Sequence, residues 1–361
     1  MCTVHPVRAD WRLIDSCVVP RFPSTRYQGS KRRLAAAIVD QLHELDFVTV
    51  LDAFGGTGAV AYAFKRAGKQ ITYNDELLFN HQIGLALIEN ESVRLTDREI
   101  ATVGVRRYGV VYGDFIERAF DGIYFTRDEN RWLDVAAGNI LATSNPYKRA
   151  LSWFALFQSA MAKRPYNLFH RSNLYMRTAA VRRSFGNKAT WDRSFDAHFC
   201  AHALEANAAV MEGQGTCRAI CRDALQVEED FDLVYIDTPY INSRGIGVDY
   251  QGFYHFLEGM VRYADWPSLI DRDLKHRPLR RQRPRWSDPV QCYEMFRRLF
   301  DRFRDSILVV SYRSDGIPTV AELRNMLRAV KKRVRVVDGP SYQYALSTNR
   351  RSREVLLIAT A

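Results

Sequence analysis

The sequence predicts an α/β fold: a mostly parallel sheet with a closing antiparallel strand, interrupted by a long, mainly helical insertion. Three observations carry this. Residues 50–58 read V-L-D-A-F-G-G-T-G, an apolar run ending in an acid and a glycine-rich turn. That is the pattern of a buried parallel strand feeding a tight loop and then a helix. Residues 231–240 repeat the theme, with an apolar run over 231–236 that leads into D-T-P-Y. Between them, from about 93 to 215, the alternation of strand and helix stops and helical patterns follow one another, which marks an inserted domain. Ligands of open α/β sheets bind outside the carboxyl ends of the strands, so Asp52 and Asp237 can face one crevice.

Taken in order, residues 1–25 read as irregular, with Pro6, Pro20 and Pro23 breaking any helix. The stretch Y-Q-G-S-K at 27–31 leads into a helix over 32–45, where Leu34, Ile38 and Leu42 recur at helical spacing. The first strand covers 48–52. A helix over 59–67 stops at Gly68, and the second strand covers 70–73. Asp75 then stands at the strand tip, where a nucleoside-binding α/β fold places a ribose ligand; the alternative is a cap for the helix that follows. Helical patterns occupy 130–143, 147–163 and 191–211. Within this block, 164–188 interleaves basic residues with aromatics and amides. Arg171, Asn173 and Arg177 are candidates there for phosphates and base edges, against the plainer reading of a solvated basic face.

A strand over 216–221 precedes Asp223, which is either a ligand or a turn cap. The segment 241–256 carries three glycines and four aromatics and reads as a loop able to move, with stacking faces; core packing claims part of Phe253, Tyr254 and Phe256. In 265–289, Arg277, Arg280, Arg281, Arg283 and Arg285 crowd together. This segment reads as too charged to bury, hence a flexible loop or a clamp on a nucleic-acid backbone. A helix over 290–303, a strand over 306–312, a helix over 319–330 and an antiparallel pair at 334–337 and 354–359 complete the chain.

The chain has 361 residues, 47% of them hydrophobic, enough for a large core. Its formal charge of +11 points to a polyanionic partner, with nucleic acid the commonest. Six cysteines are scattered; Cys217 and Cys221, on an apolar run without nearby histidines, read as packing residues and not as zinc ligands. Asp10, Trp11 and Arg12 stand where a signal peptide needs an apolar core, and no apolar run reaches the length of a membrane span. A reducing cytoplasm is the expected compartment.

The boxes Y-Q-G-S-K (27–31), F-G-G-T-G (54–58) and D-T-P-Y (237–240), in this order, resemble those of the Dam-like (alpha-group) adenine-specific DNA methyltransferases, Y/W-x-G-x-K, F-x-G-x-G and D-P-P-Y. The resemblance runs from about residue 22 to the end. It implies a Rossmann-like S-adenosylmethionine-dependent methyltransferase sheet, with a catalytic domain split into 1–92 and 216–361 around a helical target-recognition domain at 93–215. It further implies transfer of a methyl group from S-adenosylmethionine to the 6-amino group of adenine in double-stranded DNA, the base being flipped out of the stack. No metal is implied. By resemblance, Tyr27 and Lys31 line the methionine side, and Asp52, Phe54, Gly55, Gly56 and Gly58 surround the cofactor. Asp75 takes the ribose and Asp223 the adenine. Asp237 and the Thr238 carbonyl accept the hydrogens of the target amine, Pro239 stiffens the turn and Tyr240 offers a face to the flipped base. Arg280, Arg281 and Arg283 would hold DNA phosphates. One departure stands out: Thr238 replaces the first proline of the family's box. Two other readings remain open, a methyltransferase acting on RNA or another amine, and a cofactor-binding DNA-binding protein whose catalysis has lapsed. Asp237 leans toward adenine, because protein-amide enzymes typically carry N-P-P-Y and cytosine-amine enzymes often S-P-P-Y.

Overall fold

The two apolar runs that lead into the glycine-rich turn and into D-T-P-Y lie side by side at the centre of one sheet. The computed structural model describes residues 20–180, 188–280, 284–341 and 352–361. The first nineteen residues, 181–187 of the basic and aromatic stretch, and Arg281 and Arg283 lie outside the described residues. The strands are β1 (Thr49–Asp52), β2 (Gln70–Asn74), β3 (Arg218–Ile220), β4 (Leu233–Ile236), β5 (Ile307–Arg313), β6 (Arg333–Ser341) and β7 (Arg353–Thr360). Their order is β3-β2-β1-β4-β5-β7-β6. The first five run parallel, and β7 lies antiparallel between β5 and β6. The fold is thus the mostly parallel α/β sheet with a closing antiparallel strand that the sequence predicts. Strand order reverses between β1 and β4, and a crevice opens at such a switch point. The register pairs Asp52 with Tyr235, so the turn after β1 and the D-T-P-Y loop emerge at the same level.

Alternate strand residues feed two cores, as a sheet covered on both faces requires. Val50, Ile71, Tyr73, Leu233, Tyr235 and Val309 point to one face, packed with the helices Ala59–Arg66, Leu78–Gly84 and Pro146–Ala162. Leu51, Val234, Ile236, Leu308 and Val310 point to the other, packed with Gln291–Arg302 and Val320–Arg328. Pro146–Ala162 starts on an Asn145 side chain that accepts from the N–H groups of Tyr147 and Lys148, with Pro146 at its first turn. It is buried almost all round, so it runs through the interior and joins the helical block to the sheet.

Three segments depart from the sequence reading. The expected loop at 241–256 turns into a helix at Tyr250–Val261, because the Asp249 side chain accepts from the Gly252 N–H and Tyr254, Phe256, Leu257 and Met260 bury one face. The arginine-rich segment is not wholly solvated: Trp266, Ile270, Leu279 and Trp286 are buried and pin it down between its charges. The helix expected over 32–45 contracts to Ala35–Asp40. Among the described residues no helix is long and apolar enough to cross a membrane, and no group of His, Cys, Asp and Glu could hold a metal ion. Cys217 is buried without a disulfide, consistent with its packing role.

Candidate active site

The glycine-rich turn is shaped by what it must avoid. A Cβ on Gly55 would lie 2.1 Å from the Tyr73 ring, so a side chain there would displace a core tyrosine. Gly58 opens the Ala59–Arg66 helix at φ 74°, a left-handed conformation that favours glycine. The turn is tied to the tip of β2: the Gly55 N–H donates to the Asn74 carbonyl at 2.8 Å. The Gly56 N–H donates to Asp75 Oδ2 at 2.9 Å, while Asp75 Oδ1 accepts from the Leu77 N–H at 2.9 Å. Asp75 therefore caps its own turn and also holds the glycine loop.

Around the switch point lies a pocket of about 900 Å³ including the space open to solvent, lined by Tyr27, Asp52, Phe54, Asp75, Asp237 and Trp286, among others. Tyr27 stacks between Tyr250 and Tyr254, with ring centroids at 5.5 and 4.5 Å. Phe54 meets Trp286 edge to face at 5.0 Å. Asp52 is buried, and its Oδ1 finds no hydrogen-bond partner among the described residues. Burial, with Asp237 and Asp75 nearby, pushes its carboxyl up to about 8.

The D-T-P-Y loop is organised around Lys31. The ammonium lies 2.8 Å from both Asp237 oxygens, 2.5 Å from the Tyr240 hydroxyl and 3.4 Å from Glu354 Oε1. The Tyr240 hydroxyl is 2.6 Å from Asp237 Oδ1 and 2.9 Å from Glu354 Oε1, and the Ser311 hydroxyl donates to Glu354 at 2.6 Å. Burial opposes charge on Lys31, but Asp237 and Glu354 outweigh it and hold the ammonium above its ordinary range. Burial raises the Asp237 carboxyl by more than Lys31 lowers it, and Glu354 adds to the rise. Asp237 keeps 17% of its side chain exposed, so a ligand in the pocket can reach it.

Tyr240 is only 3% exposed; its ring packs edge to face on Tyr312 and its hydroxyl is held in the Lys31 cluster. Thr238 is buried and its hydroxyl finds no partner among the described residues. Pro239 lines the pocket. Asp223 stands at an adjoining pocket, where one oxygen accepts from the Leu225 N–H and the other lies 3.5 Å from Arg285; the turn-cap reading is realised. Arg177 is 8% exposed and buried against Glu129 at 2.6 Å, and Asn173 is also buried, so neither is exposed at the surface. Arg171 and Arg280 are exposed. The sequence reading missed Glu354, Ser311 and Trp286. Trp286 sat in a segment judged by its charge, whereas a lone tryptophan among arginines was the available signal.

A reachable carboxylate held by a lysine, beside a glycine-lined pocket, can accept hydrogen bonds from an amine presented at the mouth. The comparisons agree with that chemistry. Residues 27–259 match the family of D12 class N6 adenine-specific DNA methyltransferases. The chain is 28% identical over 94% of its length to the type II methyltransferase M2.HphI of Haemophilus parahaemolyticus, of which it covers 97%. It is 27% identical over 84% of its length to the modification methylase LlaI of Lactococcus lactis subsp. lactis, of which it spans 48%. It methylates adenine in DNA site-specifically, and it belongs to the D12 class of N6 adenine-specific DNA methyltransferases.

Proposed function

We propose that the pocket holds S-adenosylmethionine and that Asp237 serves the 6-amino group of an adenine flipped out of double-stranded DNA, in the Dam-like (alpha-group) arrangement. The observation that carries this is the buried Asp52 oxygen, without a hydrogen-bond partner among the described residues, in a pocket bordered by two further carboxylates, Asp75 and Asp237. Such a site favours a cation, and the cofactor carries both a sulfonium and an ammonium group. Tyr27, Phe54 and Trp286 supply apolar walls, Gly55, Gly56 and Gly58 the loop, and the free lone pairs of Asp75 a place for ribose hydroxyls. When bound, the cofactor supplies an activated methyl group. The chain's own residues position the amine: Asp237 accepts one of its hydrogens, the Thr238 carbonyl accepts the other, and Asp237 takes the proton that the methylated amine releases. The helical block at 93–215 would recognise the target, with Arg171 and Arg280 among the DNA contacts. The relatives' names suggest a place in a restriction–modification system.

The test is incubation with mixed-sequence duplex DNA and methyl-labelled S-adenosylmethionine, followed by digestion and identification of the labelled base. N6-methyladenine is expected from the wild type. Asp237→Ala should lower turnover by about 10²-fold or more while cofactor affinity changes by less than about tenfold. Full turnover in that variant refutes the role of Asp237.

A further inference from the structure

Glu354 lies beyond the segment that matches the family, on β7, yet it reaches the D-T-P-Y cluster. It does so because β7 is inserted beside β5, with Arg313 paired to Glu354 and Ser311 two positions back. Lys31 has three hydrogens, and Asp237 Oδ1, Asp237 Oδ2 and the Tyr240 oxygen all lie within 2.8 Å of its nitrogen. The Tyr240 hydroxyl has one hydrogen and two carboxylates within reach, Asp237 at 2.6 Å and Glu354 at 2.9 Å. The two acids compete for that one hydrogen. Ser311 supplies Glu354 with a donor of its own. A buried glutamate, 5% exposed and placed 3.4 Å from a lysine that already has an acid partner, has no packing advantage over a glutamine or leucine there.

We propose that Glu354 is a positioning residue: it competes with Asp237 for the Tyr240 hydroxyl and for the Lys31 charge, and so keeps Asp237 a strong acceptor for the target amine. With Glu354 in place, one lysine is shared by two carboxylates and the cluster keeps a net negative charge. Without it, Lys31 would neutralise Asp237 alone and Tyr240 would donate to Asp237 permanently. Both changes weaken Asp237 toward a poorly basic amine. The inference rests on Asp237 being the residue that faces the amine.

The groups that face Asp237 are Lys31, Tyr240, Glu354, Asp52 from β1 and Tyr235 from β4. Of these, Glu354 raises its carboxyl. Removing that charge should therefore move the acid limb of turnover to lower pH, and the charge-retaining Glu354→Asp separates this from a general opening of the site to solvent, which would lower the limb in both variants. The experiment measures kcat and the KM for duplex DNA against pH for wild type, Glu354→Gln and Glu354→Asp, with cofactor affinity and thermal unfolding as checks on integrity. Glu354→Gln should lower plateau kcat by about tenfold, with KM changed by less than about threefold, since only the transition state uses the acceptor. Its acid limb should fall by roughly one pH unit, the size of a like-charge effect. Glu354→Asp keeps the charge and should retain the wild-type limb. An unmoved limb in Glu354→Gln, or equal loss in both variants, overturns the proposal. If Glu354→Gln does not fold, Lys31→Met is compared with Lys31→Met/Glu354→Gln, in which both charges leave together. A lower acid limb in the pair supports the proposal and coincident limbs overturn it. Asp237→Ala, assayed alongside, separates the two readings: turnover in that variant removes Asp237 from the site, whatever Glu354 does.

Discussion

Asp52 is the residue whose environment makes the sharpest demand on a ligand. Its carboxyl, pushed up to about 8 by burial and two neighbouring acids, holds a proton near neutrality. A bound cation favours the ionised form, so binding should release that proton below about pH 8 and affinity should rise with pH until then. Calorimetry of S-adenosylmethionine binding in buffers of different ionisation heat checks this: the wild type should depend on the buffer near pH 7, and Asp52→Asn should not. Thr238 makes the opposite kind of statement, since its buried hydroxyl has no partner among the described residues. Thr238→Val should preserve methylation and raise stability by about 1 kcal/mol, because it removes an unsatisfied polar group. A large loss of turnover with retained fold would mean that the hydroxyl serves the reaction. Neither property was legible in the sequence. The identity of Asp52 was, because an acid closing an apolar run announces a strand tip; its isolation depends on which side chains surround it.

At the scale of elements, the strands were the easiest to foresee. The apolar runs of the central strands β1, β4 and β5 are short, rich in β-branched residues and covered on both faces, so no alternation complicates them. The helix Tyr250–Val261 was harder, because its aromatics and glycines suggest a loop until Asp249 is seen to cap it. Arg177 shows the limit most clearly. Its burial depends on Glu129, whose carboxylate also serves the capping box of Arg127–Leu141 and pairs with Lys163 at 2.9 Å. Nothing near Arg177 in the chain signals that partner. Arg177→Met should lower stability by roughly 1–3 kcal/mol, less than a fully broken buried pair because Lys163 remains. Thermal unfolding measures this, and the methylated sequence should stay the same; relaxed sequence preference without destabilisation would restore Arg177 to the DNA interface.

For the whole molecule, charge and topology act together. A chain of formal charge +11 that methylates DNA should bind the duplex with a steep salt dependence. Arg280, exposed at the rim between two pockets, is placed to contribute. Arg280→Ala should weaken binding to all duplexes alike and make the log–log salt slope shallower by about 0.9. Isotherms on specific and scrambled DNA at several salt concentrations test it, and a sequence-selective loss would make Arg280 a reader of bases. Topology adds a constraint of order in time. The sheet positions its last strand, β7, between β5 and β6, so two strands synthesised earlier wait for a third to be threaded between them. Until residues 353–360 arrive, β5 has an open edge and the lysine and tyrosine beside Asp237 lack their second acid. On the ribosome, the N-terminal pocket walls can therefore form well before Glu354 joins the Lys31 cluster.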